Sequence, residues 1–243
     1  MSEAEKVRIE TKDVIAFVAS EYAEAFDPAW FSPDSWGDRA EPVSAGGRGS
    51  AWFVLRPERD WVLRHYRRGG RMARFNERAY FYSGEGNVRS FSEFQILQDM
   101  AGMGLPVPRP IAAGYRRQGL FYSASIIVER LTDVVPLGEL LRGGEDSSDI
   151  WARVGRVLRQ FHDAGVFHAD LNCFNILVGK DKVYLIDFDR GEFRQSSIVA
   201  GTGWKERNLS RLKRSAVKLL EKEGAIQQHF SEFWATLLAA YRE

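Results

Sequence analysis

The chain has 243 residues, which suits one compact domain or two small lobes. Its 34 basic and 33 acidic residues leave a net charge of +1, so composition gives no general reason to expect nucleic acid as a partner. The single cysteine, Cys173, excludes an intrachain disulfide, and the lack of a signal-peptide pattern or a membrane-length apolar run predicts a cytoplasmic location.

The N-terminal stretch predicts an extension made of a helix and turns. Residues 11–26 carry apolar side chains at helical spacing, and residues 27–42 are rich in proline and glycine turns. We therefore predict a helical, turn-rich extension over residues 1–42. The aromatic side chains Trp30, Phe31 and Trp36 favour local core packing, with a membrane or substrate contact as the alternative.

The next part of the chain predicts a small antiparallel sheet with one helix. Residues 51–66 contain two strand-like runs around a proline-containing turn, which predicts a hairpin. A helix is predicted over 89–101, and two further strands near 110–116 and 120–128. We assign residues 43–130 to an N-lobe.

The remaining chain predicts a mostly helical C-lobe over residues 131–243, with Glu129–Leu131 as the connector. A strong apolar stripe follows the capping candidates Ser147, Ser148 and Asp149, and Gly165 ends that helix. Two short strands lie near 176–178 and 183–186, and the chain from about 205 onward is helical in pattern. The predicted fold class is α+β, with a strand-rich first lobe and a mostly helical second lobe.

The segment around residue 170 contains the candidate catalytic residues. His168, Asp170 and Asn175 form a His-x-Asp-x-x-x-x-Asn pattern, and Asp187 follows across a tight hairpin. This pattern resembles the catalytic and metal-binding loops of protein-kinase-like phosphotransferases, and the resemblance implies their bilobal, protein-kinase-like fold for this α+β chain. The resemblance implies a catalytic set of Asp170, His168 and Asn175, with Asn175 and Asp187 as Mg²⁺ ligands. A carboxylate at Asp170 can orient an acceptor hydroxyl and accept its proton, and a hard cation takes oxygen ligands.

Other interpretations of this segment stay open. Asp170 and Asn175 also suit turns, and Asp187 a helix cap, although these roles do not explain their joint spacing. A structural hydrogen-bonding role is favoured for His168. The arginine usual before the catalytic aspartate is replaced by Ala169, which fits small-molecule kinases, and Asp189 stands where Asp-Phe-Gly has glycine.

A second segment predicts the nucleotide site. Gly47 and Gly49 lie in a run that resembles a kinase glycine-rich loop, with a plain glycine turn as the alternative. Arg64 stands where the family places a phosphate-binding lysine, and Glu93 is its expected ion-pair partner unless it is an ordinary exposed helix residue. The segment Glu129–Leu131 is expected to present backbone to adenine, so Glu129 and Leu131 complete the predicted ATP site. The N-lobe over residues 43–130 is therefore expected to bind the nucleotide.

The acceptor is predicted from two basic stretches, residues 64–78 and 204–215. Together with His168–Asn172 they resemble the bacterial 3-deoxy-D-manno-octulosonic acid (Kdo) kinases, which are related to the lipopolysaccharide core heptose kinases. The resemblance implies transfer of the ATP γ-phosphate to the 4-hydroxyl of Kdo on lipid A at the cytoplasmic face of the inner membrane. It implies ATP and Mg²⁺ as cofactors, peripheral membrane contact, and neither nucleic acid nor an obligate protein partner. Basic clusters suit an anionic substrate in an anionic bilayer.

Several alternatives remain at this point. The acceptor is open between Kdo, a core heptose, a free sugar, choline and an aminoglycoside. Arg64 at the lysine position leaves room for a pseudokinase, and the basic stretches are also compatible with solvated surfaces or with a basic binding module. The complete set of Asp170, Asn175 and Asp187 favours an active kinase.

Overall fold

The computed structural model of the protein describes residues 6–43, 51–66, 79–194, 203–222 and 228–243. The chain divides into two compact units. The first comprises Met1–Gly102 and Pro108–Arg130, and the second Met103–Val107 and Leu131–Glu243. None of the helices in the described ranges combines the length and the apolar character that crossing a bilayer requires.

The first unit is built on one antiparallel sheet. Its strands are β1 (Lys6–Glu10), β2 (Ile15–Ala19), β3 (Ala40–Pro42), β4 (Ala51–Val54), β5 (Trp61–His65), β6 (Tyr80–Phe81), β7 (Pro110–Gln118) and β8 (Phe121–Glu129). They pair in the order β1-β2-β7-β8-β5-β4-β3, and β6 pairs with β8. Helix α1 (Arg89–Gly102) packs against β7 and β8. The predicted hairpin, helix and strand pair of this unit are all present.

The helix predicted over residues 11–26 is wrong, because this segment contains β2 and only a short 3-10 turn. β2 pairs with β1 and β7, so residues 6–42 are part of the first unit and contribute β1, β2 and β3 to its sheet, instead of forming a separate helical extension. The apolar positions of residues 11–26 fit the periodicity of a helix and that of a strand, but burial alternates along Ile15–Ala19, as in a strand. Ala16 and Val18 are fully buried. Pairing with β7 decided the outcome, since tertiary contacts override local spacing.

Aromatic residues after β2 pack into the core of this unit, as the favoured interpretation predicts. Phe31 and Trp36 are buried, and Trp30 packs partly buried against them. The indole N–H of Trp36 donates to the carbonyl of Trp30 at 3.0 Å. The buried cluster around them consists of Val14, Ala16, Val18, Val54, Trp61, Leu63, Ile111, Ala112 and Ile127.

The second unit is mostly helical. Its helices are α2 (Leu137–Gly143), α3 (Ser148–Asp163), α4 (Gly203–Lys222) and α5 (Gln228–Arg242). Its short strands are β9 (Val134–Pro136), β10 (Val166–Phe167), β11 (Ile176–Gly179), β12 (Val183–Leu185) and β13 (Glu192–Phe193). They form the small sheets β12-β11-β9 and β10-β13.

Helix α3 is the structural centre of the second unit. The Ser147 hydroxyl accepts a hydrogen bond from the N–H of Ile150, so the structure selects Ser147 among the three predicted capping candidates. Its apolar stripe packs against α5, where the backbones come close at Gly155. A Cβ atom at Gly155 would lie 2.3 Å from the carbonyl oxygen of Leu237. The chain leaves α3 through Gly165, at a φ of +77°, and enters β10 just before the catalytic segment.

Candidate active site

His168 fixes the loop that follows β10. Its side chain is 3% exposed, and its Nδ1 accepts the backbone N–H of Asp170 at 3.1 Å. Its Nε2 lies 3.0 Å from the carbonyl oxygen of Ile186. These contacts select the neutral tautomer with the proton on Nε2. Burial lowers the pKa of His168, in keeping with a neutral ring. The structure therefore favours the positioning role, in which His168 joins the Asp170 loop to the Asp187 loop.

Two asparagine amides hold the backbone at Asp170. The Nδ2 atoms of Asn172 and Asn175 each lie 3.0 Å from the Asp170 carbonyl oxygen, and the Asn172 Oδ1 accepts the N–H of Phe174 at 2.9 Å. Because the Nδ2 of Asn175 is engaged, its Oδ1 is the side-chain atom with capacity to bind a cation. The Asp170 carboxylate itself is 58% exposed, which suits a group that must meet an acceptor.

The β11–β12 hairpin brings Asn175 beside the segment that carries Asp187. Ile176 is opposite Leu185 in the antiparallel register, and the N–H of Ile186 donates to the Asn175 carbonyl at 3.1 Å. Asp187 adopts a left-handed φ of +64°, and Phe188 behind it is buried. The Phe188 ring stacks on Phe161 with centroids 5.8 Å apart and lies 4.7 Å from the His168 ring.

The oxygen donors of Asn175 and Asp187 fit Mg²⁺. In the described ranges no group of three or more His, Cys, Asp or Glu side chains is arranged to hold a metal. Mg²⁺ usually keeps several waters and binds through one or two protein oxygens together with substrate phosphates. An amide oxygen and a carboxylate on adjoining segments meet that requirement.

Helix α4 supports the catalytic loop through residues that the sequence analysis missed. Asn208 is 2% exposed; its Nδ2 donates to the His168 carbonyl at 2.8 Å, and its Oδ1 accepts the His168 N–H at 3.2 Å. Ser215 accepts the N–H of Cys173 at 3.2 Å. The available signal was a polar residue on the apolar face of an amphipathic helix, at Asn208, which needs a buried partner.

Arg211 lies in the second basic stretch, residues 204–215, but its contact with Asp170 was not predicted from the sequence. Its Nε and Nη2 lie 3.0 and 2.7 Å from the same carboxylate oxygen, Oδ1, of Asp170. Both side chains are about half exposed, at 48% and 58%. The two donors fix the position of one oxygen and leave Oδ2 of Asp170 for another ligand.

In the first unit, Arg64 and Glu93 form the predicted ion pair. Glu93, on α1, is 3% exposed, and its Oε2 accepts hydrogen bonds from Nη2 of Arg64 and from the Tyr66 hydroxyl. Glu93 is therefore not an ordinary exposed helix glutamate. The part that the pair takes in nucleotide binding stays a prediction.

The other residues predicted to contact the nucleotide are the two glycines of the glycine-rich run and the segment Glu129–Leu131. Gly47 and Gly49 lie outside the described residues, as do residues 67–78 of the first basic stretch. The Glu129 carboxylate pairs with Arg59 at 2.8 Å, and the N–H groups of Glu129 and Arg130 donate to other carbonyls of the same unit. The backbone atom of Glu129 that can contact adenine is therefore its carbonyl oxygen. Leu131 is the other residue predicted to contact adenine.

The predicted site residues fall into two groups. Asp170, His168, Asn175 and the Asp187 segment come together in the second unit through direct hydrogen bonds. Arg64 and Glu93 come together in the first. The first group can orient a hydroxyl and hold a cation, whereas the second places a guanidinium that can bind phosphate.

Comparisons with known proteins agree with this chemistry. The model of the lipopolysaccharide kinase (Kdo/WaaP) family matches residues 33–241. A 3-deoxy-D-manno-octulosonic acid kinase of Xanthomonas axonopodis pv. citri (strain 306) is 48% identical over 194 residues, which are 79% of this chain and 76% of that protein. Kinases of the same name from Xylella fastidiosa (strain M12) and Stenotrophomonas maltophilia (strain K279a) are 47% and 48% identical; the matches cover 80% and 78% of this chain and 74% of each relative.

A solved structure supports the fold. It is described as WaaP in complex with acyl carrier protein, and it matches with a TM-score of 0.58 at 17% identity. The match covers 93% of this chain and 88% of that chain. The predicted α+β, protein-kinase-like fold is confirmed.

Proposed function

The chain belongs to the lipopolysaccharide kinase (Kdo/WaaP) family, and on that premise we propose that it transfers the γ-phosphate of ATP to the 4-hydroxyl of Kdo on Kdo-lipid A. The observation that carries the proposal is the exposed Asp170 carboxylate on a loop fixed by His168 and Asn175. The reaction is a step of lipopolysaccharide inner-core biosynthesis.

Asp170 acts on the acceptor hydroxyl. Its Oδ2 accepts the hydrogen bond of that hydroxyl and orients the oxygen toward the γ-phosphorus. As the new oxygen–phosphorus bond forms and the bond to the β-phosphate oxygen breaks, the hydroxyl proton passes to the carboxylate and ADP leaves. His168 and the two asparagine amides hold the loop so that this geometry is set before the substrate arrives.

The remaining site residues serve the nucleotide. Asn175 and Asp187 would hold Mg²⁺, which, when bound, offsets the negative charge on the phosphates. Arg64 binds phosphate oxygens while Glu93, which also accepts a hydrogen bond from Tyr66, holds it in place. A guanidinium keeps the positive charge of the usual lysine and offers a planar fork instead of a point charge. Gly47, Gly49 and the backbone of Glu129 and Leu131 complete the proposed ATP site.

We also propose peripheral attachment to the cytoplasmic face of the inner membrane. Where β7 turns into β8, the apolar side chains of Leu120, Phe121 and the neighbouring Phe81 are 64%, 45% and 59% exposed. Arg116 and Arg117 lie in the same hairpin. Exposed apolar side chains beside cations are typical of surfaces that contact anionic lipid, where each cation contributes about 1 kcal/mol.

The test is transfer of labelled γ-phosphate from ATP and Mg²⁺ to a panel of acceptors. Kdo-lipid A, a heptosylated core acceptor and a generic protein substrate are offered to the wild-type protein and to Asp170→Asn. Asp181→Asn, an exposed carboxylate in the β11–β12 turn, is the matched control. We expect label in Kdo-lipid A with the wild type and the control, and none with Asp170→Asn. Label in a different acceptor alone contradicts the named substrate, and no label in any acceptor despite nucleotide binding indicates a pseudokinase.

A further inference from the structure

One face of α4 forms a stripe of exposed cations. Arg207, Arg211, Arg214 and Lys218 are spaced by four, three and four residues, and all four are exposed. This spacing places them within one narrow arc of an α-helix. The apolar side chains of α4, including the fully buried Leu212, face the unit's core instead. A stripe of like charges repels itself, so it is suited to an anionic ligand.

Arg211 connects this basic stripe to the reacting group. Within the described residues its guanidinium donates to Asp170 alone, through Nε and Nη2. A guanidinium has five N–H donors, so the others can bind a ligand while the Asp170 contact persists. The half-exposed side chain is accessible to a ligand that approaches Asp170 from solvent.

The proposed acceptor places an anion at this position. In the pyranose ring of Kdo, the carboxylate is carried by carbon two and the reacting hydroxyl by carbon four, so only one ring carbon separates the two attachment points. An acceptor whose 4-hydroxyl meets Asp170 therefore carries its carboxylate within reach of a cation bound to that same aspartate. Arginine is the side chain best suited to a carboxylate, because its planar fork matches both oxygens.

We propose that Arg211 binds the carboxylate of the acceptor sugar acid and so selects an acidic sugar over a neutral one. The inference rests on the proposed function and assigns to Arg211 the recognition of the acceptor's negative charge. The basic stripe extends beyond Arg211 in both directions along α4, which suits an acceptor that carries further anionic groups. The contact with Asp170 places the Arg211 guanidinium beside the reacting hydroxyl, and the role of Arg211 is to bind the acceptor's carboxylate.

The test compares two acceptors that differ only in the carboxylate. Arg211→Gln and the wild type are assayed with Kdo-lipid A and with the same lipid carrying the Kdo carboxylate as its methyl ester. Lys213→Gln is the matched control, because Lys213 lies on the same helix but packs over the Trp234 ring on another face. Arg211→Lys is the second variant, since it keeps the charge and loses the fork.

With Kdo-lipid A we expect Arg211→Gln to lower kcat/KM by roughly 10- to 100-fold, the size of a lost charged hydrogen bond. Arg211→Lys should show a smaller loss, and Lys213→Gln none. With the ester, the wild type and Arg211→Gln should differ by no more than about 3-fold, and KM for ATP should be unchanged. The loss is thus confined to the carboxylate acceptor.

Three results would overturn the proposal. Equal losses with both acceptors would mean that Arg211 acts on Asp170 or on the phosphoryl group. No loss with either would mean that it is only surface charge. If the wild type transfers phosphate to heptosylated core and not to Kdo-lipid A, the proposed function fails and the inference fails with it, whereas the first two results leave the proposed function intact.

Discussion

Replacing Glu93 with glutamine tests how the protein uses an arginine in the usual lysine position. Glu93 is buried on α1, and its Oε2 accepts hydrogen bonds from Arg64 and Tyr66 on or beside β5. Glutamine keeps the size of the side chain and removes its charge. We expect a less stable protein whose Arg64 is no longer held toward the nucleotide phosphates.

The magnitude follows from these two hydrogen bonds. A hydrogen bond to a charged group contributes about 1.5–3 kcal/mol and a neutral one about 0.5–1.5 kcal/mol, so removing the charge costs about 1 kcal/mol for each bond. The free energy of unfolding should therefore fall by about 2 kcal/mol. A fully buried pair would lose more, but the Arg64 side chain is 24% exposed and water hydrates it in part.

Urea unfolding measures the stability change, and initial rates at varied MgATP measure the nucleotide effect. We expect Glu93→Gln to raise KM for ATP by about 10-fold, the effect of losing about 1.4 kcal/mol of binding. The matched control is Glu10→Gln, whose partner Arg8 is exposed and whose loss should change stability by less than about 1 kcal/mol. Unchanged stability and unchanged KM in Glu93→Gln would refute the reasoning.

Three other perturbations have defined outcomes. Burial lowers the pKa of His162 to about 4, so between pH 6.5 and pH 4 the unfolded chain binds a proton that the folded chain does not. The free energy of unfolding, measured in urea, should therefore fall by about 2 kcal/mol from pH 7 to pH 5, and by less in His162→Gln. Gly155→Ala should lower the unfolding free energy by about 1–3 kcal/mol because its Cβ meets the Leu237 carbonyl, and higher stability would contradict that packing. Phe121→Ser should weaken binding to anionic vesicles several-fold in a sedimentation assay, with Phe193→Ser, also an exposed phenylalanine, as the control; equal binding by both would argue against the proposed membrane surface.

The elements with strong local patterns could be predicted from the sequence. The α3 stripe after Ser147 and the hairpin over 51–66 are both present, because each carries its own periodicity and turn chemistry. The segment 11–26 misled the prediction because its apolar positions fit a helix and a strand alike. Its pairing with β1 and with β7, the latter almost a hundred residues further along the chain, makes it a strand.

In the candidate site, too, local contacts could be predicted from the sequence and long-range contacts could not. The contacts among His168, Asp170 and Asn175 lie within one loop, so residue types at fixed spacing were enough to predict them. Asn208 and Arg211 contact that loop from 40 and 41 residues further along the chain. Nothing in local spacing encodes such a distance, and their roles follow only from the packing of α4 against the catalytic segment.

The most direct test of the central claim is kcat for Asp170→Asn at saturating ATP, Mg²⁺ and Kdo-lipid A. Asparagine keeps the shape of the side chain but cannot accept the hydroxyl proton. We predict that kcat falls by about 10²- to 10⁴-fold while the Kd for ATP stays unchanged. A kcat within a few-fold of the wild type would contradict the assignment of Asp170 as the group that orients and deprotonates the acceptor.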